Sequence, residues 1–254
     1  MFNSKKMFLT WFGILCLGNA IAYSVVHLDY LYEPKALSYL AKYVTWAWEF
    51  IYPVICLAII LTAFSRTGKK TSALLGGLLL SSARFTYYSL YYYLHFVIDG
   101  GFSTGEAIFL SALNTPASIL TTYSQVLILF VLSILVAVII RKKRGRTDDT
   151  LSSILEKGQN AGSFDFGSTP TVCIFLSSIW QLIFYLSSEI YDTVEFLGKN
   201  FNTVNLPELL TMVFNYLFIL VMFLTAHTIC VKIMNMLPDK FGLKGEIENG
   251  ETGI

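Results

Sequence analysis

Six long apolar segments dominate the chain, and short polar segments separate them. They cover approximately residues 8–27, 44–65, 73–97, 116–140, 171–192 and 209–231. Each is close to the length of about 20 residues that an α-helix needs to cross the hydrocarbon core of a bilayer. The pattern therefore predicts an all-α fold, in which a polytopic integral membrane protein forms a bundle of about six transmembrane helices.

Composition supports this class. Hydrophobic residues make up 55% of the chain and charged residues 14%, whereas soluble domains contain about 25% charged residues. The net charge of +1 gives no reason to expect a polyanionic partner, so we expect no nucleic acid to bind. The expected primary partner is the lipid bilayer.

Basic residues alternate between the connecting segments. Of the 18 Lys and Arg, 14 lie in the amino-terminal segment (two), the second loop (three), the fourth loop (six) and the carboxy-terminal tail (three). The opposite loops hold Lys35, Lys42 and Lys199, and Arg84 lies within a span. The positive-inside rule therefore predicts that both termini are cytoplasmic. With no organelle signal, the cell (cytoplasmic) membrane is the expected location.

This topology divides the chain into four regions. Residues 1–140 are predicted to form transmembrane helices one to four, 141–170 a basic cytoplasmic loop, 171–231 helices five and six, and 232–254 a polar cytoplasmic tail. The loop opens with a cluster of basic residues beside a helix end, which we interpret as a topology anchor on anionic lipid head groups. Its members are Arg141, Lys142, Lys143, Arg144 and Arg146.

The first apolar segment has two interpretations. Lys5 and Lys6, an apolar run and the sequence Ala20-Ile21-Ala22 resemble a signal peptide with its cleavage site. The apolar run continues past Ala22 to Val26, which is long for a signal, so we favour an uncleaved first helix.

Three ionisable residues lie inside apolar spans, where charge is costly and often functional: Glu49, Arg84 and Glu189. At 100° per residue, Arg84 shares a helix face with the small residues Ala73, Gly77 and Ser81. Small residues allow close packing between helices. We therefore predict that Arg84 projects into the bundle, toward the level of the two acids.

Pro53 follows Glu49 by four residues and cannot donate a hydrogen bond to its carbonyl. One interpretation is a mild helix kink at Pro53, with Glu49 paired to Arg84 for assembly. The other is a broken helix that forms a proton, cation or substrate-amine site, as discontinuous helices do in transporters.

Polar residues concentrate in the predicted outer half of the spans. A pocket open to the outside would produce this asymmetry. Solvation at the membrane interface would also produce it, although Arg84 and Gln181 lie too deep for that explanation alone. The candidate substrate-binding residues are Glu49, Arg84, Gln125, Gln181 and Glu189.

Motifs for nucleotide binding and zinc-dependent hydrolysis are absent: the chain has no HExxH, GxxxxGK or GxGxxG sequence. The one GxSxG match, GFSTG at 101–105, lies between two predicted transmembrane helices and not at the strand-to-helix turn that a nucleophilic serine of this motif requires. The three histidines lack metal-ligand spacing, and the four cysteines include no CxxC pair. We therefore expect no cofactor and no metal. An enzyme is not the favoured class.

Three functional hypotheses follow. The favoured one is a small transporter or permease subunit with a polar pocket, either ion-coupled or associated with other membrane subunits or a separate ATPase. The alternatives are a non-catalytic accessory or scaffold subunit and, less favoured, a membrane enzyme acting on lipid-linked substrates. Six spans are compatible with all three.

Overall fold

The chain is almost entirely helical in a computed structural model that describes residues 2–32, 35–67, 70–98, 100–143, 169–200 and 204–241. Seven helices fill these ranges, without any strand: α1 (Phe2–Tyr32), α2 (Lys35–Thr67), α3 (Lys70–Ser82), α4 (Phe85–Ile98), α5 (Thr104–Lys143), α6 (Thr169–Asn200) and α7 (Leu206–Lys240). Five of them, α1, α2, α5, α6 and α7, are long and apolar enough to cross a membrane. The all-helical class is thereby confirmed, and the five long apolar helices are consistent with a multi-pass membrane bundle.

Helix boundaries extend beyond the apolar runs because polar residues cap the helices. α5 begins at Thr104 rather than near 116, after a turn at Gly101, which has φ 63°. The Glu106 carboxylate accepts hydrogen bonds from the Ser103 backbone N–H and hydroxyl at 3.0 and 2.6 Å. α7 begins with a capping box formed by Asn205 and Glu208. It continues to Lys240, beyond position 232, where the tail was expected to start.

Side-chain contacts establish the relative directions of neighbouring helices. α1 is parallel to α3 and α4, because the Phe8 ring lies against Gly76 and Asn19 contacts Ala83. Short connections at 33–34, 99–103 and 201–205 join antiparallel neighbours at one end of the bundle. The first residues of α1 and the last residues of α7 lie at the other end. This agrees with the alternation that the basic residues predicted.

The third predicted span, 73–97, is interrupted. α3 and α4 together cross the bundle once, but Ala83 and Arg84 form a turn between them. The backbone N–H of Ala83 bonds to Leu80, and that of Arg84 bonds to Ser81, three residues back rather than four. Such a tighter turn changes the helical phase. A uniform rotation of 100° per residue would place His95 on the same face as Gly77, whereas the structure leaves His95 exposed.

The main apolar core lies toward the end of the bundle that carries the termini. α2 forms its centre, and every residue from Tyr52 to Phe64 is buried. Residues such as Leu57, Leu61 and Leu129 are almost completely inaccessible. Burial of this kind makes α2 the scaffold on which the other helices position the polar residues described below.

Two glycines of α1 allow a matched test of this packing. A Cβ on Gly18 would lie 2.2 Å from the Trp48 ring, whereas a Cβ on Gly13 would meet nothing within 4 Å. We expect Gly18→Ala to lower the free energy of unfolding by about 1–3 kcal/mol, because the ring must move. Gly13→Ala should leave it unchanged or raise it by up to about 1 kcal/mol. Chemical unfolding in detergent measures both; equal effects would contradict the close approach of α1 and α2.

Candidate functional site

The centre of the site is an ion pair between α2 and the interrupted third span. Both terminal nitrogens of Arg84 donate to the Glu49 carboxylate: Nη1 bonds to Oε1, and Nη2 bonds to Oε2 at 2.8 Å. The Arg84 side chain is 1% exposed and that of Glu49 is 30% exposed. The pairing of Glu49 with Arg84, which one of the two interpretations of the sequence contained, is therefore present, and one face of the carboxylate remains accessible.

Arg84 reaches this position because its helix face is packed. Ala73, Gly77 and Ser81 are buried with it, as the rotation of 100° per residue predicted. Aromatic rings surround the guanidinium: its central carbon lies 4.2 Å from the ring centre of Tyr52, 5.5 Å from that of Tyr88 and 5.8 Å from that of Tyr87. These ring faces stabilise a positive charge that water does not reach.

Neighbouring helices satisfy the carbonyls at the interruption. The Asn19 amide on α1 donates to the Ala83 carbonyl at 2.7 Å, and the Tyr52 hydroxyl on α2 donates to the Leu80 carbonyl. Asn19 is itself held, because its Oδ1 accepts a 2.7 Å bond from Trp48 Nε1. Side chains on adjacent helices are what makes a broken helix tolerable at membrane depth.

An open cleft leads to Glu49. Its volume is about 460 Å³, and α1, α2 and α4 form its walls. Ten residues line it: Val26, Ser38, Ala41, Lys42, Thr45, Trp46, Glu49, Tyr87, Tyr88 and Tyr91. The residues from Ser38 to Glu49 extend over about 16 Å of α2. The cleft therefore runs from the end with the short connections down to the ion pair.

Glu189 belongs to a separate polar cluster between α2, α6 and α7. It is 5% exposed, and its carboxylate accepts a hydrogen bond from the Asn215 amide. The Tyr43 hydroxyl donates to Asn215 Oδ1 at 2.7 Å. Of the two acids at the level of Arg84, the structure thus joins only Glu49 to it.

The remaining two predicted pocket residues, Gln181 and Gln125, differ in their exposure to solvent. Gln181 is buried, but it is not among the residues that line the cleft. Gln125 is exposed on α5 and is not among the residues that line the cleft. The five candidates do not form one site.

Pro53 lies inside α2, and the basic segment begins at the end of α5. α2 is continuous across Pro53, so the hypothesis of a broken helix there is wrong; the break lies at Ala83 and Arg84. Positions 141–143 form the last turn of α5, and Arg144 and Arg146 lie outside the described residues. The proposed lipid contact of this basic segment stays a prediction.

Within the described ranges, no three His, Cys, Asp or Glu side chains form a group that could hold a metal ion. The cysteines are free thiols on four different helices, and three of them are buried.

Sequence reasoning missed Lys42 and Trp46 as cleft residues. Lys42, Trp46 and Glu49 follow the i, i+4, i+7 spacing that places side chains on one helix face. That signal is readable from the sequence, but Lys42 was assigned to an external loop. α2 begins at Lys35, which brings Lys42 into the helix.

Comparison with known proteins adds no assignment: no family model, curated protein or solved structure matches the chain. The functional argument therefore rests on the geometry of the cleft.

Proposed function

We propose that the protein is a small transporter or permease subunit that takes a solute into the cleft ending at Glu49. The supporting observation is the unequal exposure of the ion pair. Arg84 is 1% exposed and fixes the carboxylate from behind, while Glu49 is 30% exposed at the cleft. A volume of about 460 Å³ lies within the range of small-molecule sites, about 300–1,000 Å³.

The proposed orientation places the cleft on the outer side of the cell membrane. It opens toward the end with connections 33–34 and 99–103, and the distribution of basic residues predicts that this end faces outward. Both termini and the basic segment beginning at Arg141 would then face the cytoplasm. This arrangement suits capture of a solute from outside.

Energy coupling would come from an ion gradient or from a partner. The sequence carries no GxxxxGK motif for nucleotide binding. A transport cycle would therefore use a coupled ion, other membrane subunits or a separate ATPase.

Two tryptophan substitutions on α2 test the cleft. Ser38 lines the cleft, whereas Leu40 is 50% exposed and does not. A ligand that binds the native state raises its apparent stability by mass action. In a thermal unfolding screen of detergent-purified protein against metabolites and ions, we expect a stabilising ligand whose effect is lost in Ser38→Trp and retained in Leu40→Trp.

The outcome of that screen has a defined meaning. Equal loss in both variants would show that binding does not use the cleft. The absence of any stabilising compound with wild-type protein would contradict a solute-binding function.

The accessory-subunit hypothesis has one observation in its favour. Buried polar groups such as Asn19 and Asn215 already hydrogen-bond within the chain, and assembly alone requires no more than this. Glu49→Gln does not separate the two hypotheses, because losing the partner of buried Arg84 lowers stability under both. The tryptophan pair separates them, since it leaves the ion pair intact.

A further inference from the structure

The cleft contains an internal cation on an aromatic surface. Lys42 Nζ lies 4.3 Å from the centre of the Trp46 ring, a distance typical of cation–π contacts. Lys42 is half-buried and lines the same cleft as Trp46 and Glu49. Its ammonium group thus shows where a positive charge is stable in this cleft.

The other groups in the cleft also favour positive charge. Trp46, Tyr87, Tyr88 and Tyr91 contribute aromatic rings from two helices, and the faces of such rings are electron-rich. An ionised carboxylate offers about four lone-pair sites, and Arg84 uses one hydrogen bond to each oxygen of Glu49. The exposed side of the carboxylate can therefore accept a second cation without displacing Arg84.

An anionic solute is less suited to this surface. Both Nη atoms of Arg84 already bond to Glu49, and the side chain is 1% exposed. Lys42 is the one cationic residue among the ten that line the cleft. An anion could reach it, but would then lie against electron-rich rings and near Glu49.

We propose that the cleft binds a small organic ammonium ion, and that Lys42 is a built-in competitor that occupies the Trp46 ring when the ligand is absent. This inference rests on the proposed function, because it names the class of solute that the cleft takes. Binding would displace the Lys42 ammonium from Trp46, and the ligand would contact that ring and Glu49.

Three probes of nearly equal shape test the charge preference. They are choline, its uncharged analogue 3,3-dimethyl-1-butanol and the anion 3,3-dimethylbutyrate. Binding to the detergent-purified full-length protein is measured by isothermal titration calorimetry at constant ionic strength. We expect choline to bind at least about tenfold more tightly than either analogue, because only the cation gains the ring and carboxylate interactions.

Two lysine variants test the competitor. Lys42→Met keeps a long apolar side chain but removes the charge, and we expect it to raise choline affinity about three- to tenfold by freeing the Trp46 ring. Lys199→Met is the matched control, because Lys199 is 69% exposed and pairs with Glu195 on α6. It should leave affinity unchanged. Trp46→Leu should lower choline affinity about tenfold or more.

Each result decides the inference. Tighter binding of choline in Lys42→Met supports it, and unchanged or weaker binding overturns the role of Lys42 as a competitor. If choline binds no better than its analogues while the metabolite screen still gives a ligand sensitive to Ser38→Trp, the ammonium preference fails and the proposed function stands. If no compound in either experiment binds, both fail.

Discussion

Glu49→Gln is expected to lower the free energy of unfolding by about 3 kcal/mol, the lower end of the range for removing one partner of a buried ion pair. The guanidinium of Arg84 would remain in the bundle, 1% exposed, without a compensating charge. Arg84→Met should cost less, because Glu49 is 30% exposed and its carboxylate can be hydrated. The asymmetry follows from which partner is accessible, rather than from the strength of the contact.

A double substitution isolates the pair. Glu49→Gln together with Arg84→Met should be more stable than Glu49→Gln alone, because no unpaired charge remains in the bundle. The measurement is chemical unfolding in detergent micelles. The matched control is Glu195→Gln, which removes an exposed acid from its pair with Lys199 and should change stability by less than about 0.5 kcal/mol. Similar small losses in Glu49→Gln and Glu195→Gln would show that Arg84 is not held as described.

The second large effect is expected at the interruption. Asn19→Leu should lower the free energy of unfolding by about 2 kcal/mol, because it removes hydrogen-bond partners of both Trp48 Nε1 and the Ala83 carbonyl. The loss stays moderate since Thr86 also donates to Ala83, at 3.0 Å. Interhelical hydrogen bonds in membranes are themselves of modest strength.

Asn114→Leu is the control for this change. Its amide donates to the Leu110 carbonyl within α5 at 2.9 Å, so it joins no two helices. Unfolding in detergent should show little change for Asn114→Leu. Hydrogen exchange at Ala83 and Arg84 should rise only in Asn19→Leu. Unchanged exchange there would contradict a role for Asn19 in holding the break.

Proline positions illustrate a limit of local sequence reasoning. Pro53 and Pro116 both lie inside continuous helices, whereas the break at Ala83 and Arg84 has no proline nearby. Ser81 and Ser82 precede it, and pairs of small residues are a recognised site of helix distortion. The distortion persists because Asn19 and Tyr52, distant in sequence, bond to the carbonyls there.

The sequence by itself determined the helical membrane class and the inward face of Arg84. Apolar run length is set by bilayer thickness, and the face of a residue within one helix follows from the rotation per residue. Only the tertiary structure decided that Arg84 pairs with Glu49 rather than Glu189 and that Gln125 is exposed. Those outcomes depend on how each helix is rotated and placed against its neighbours, which no local pattern encodes.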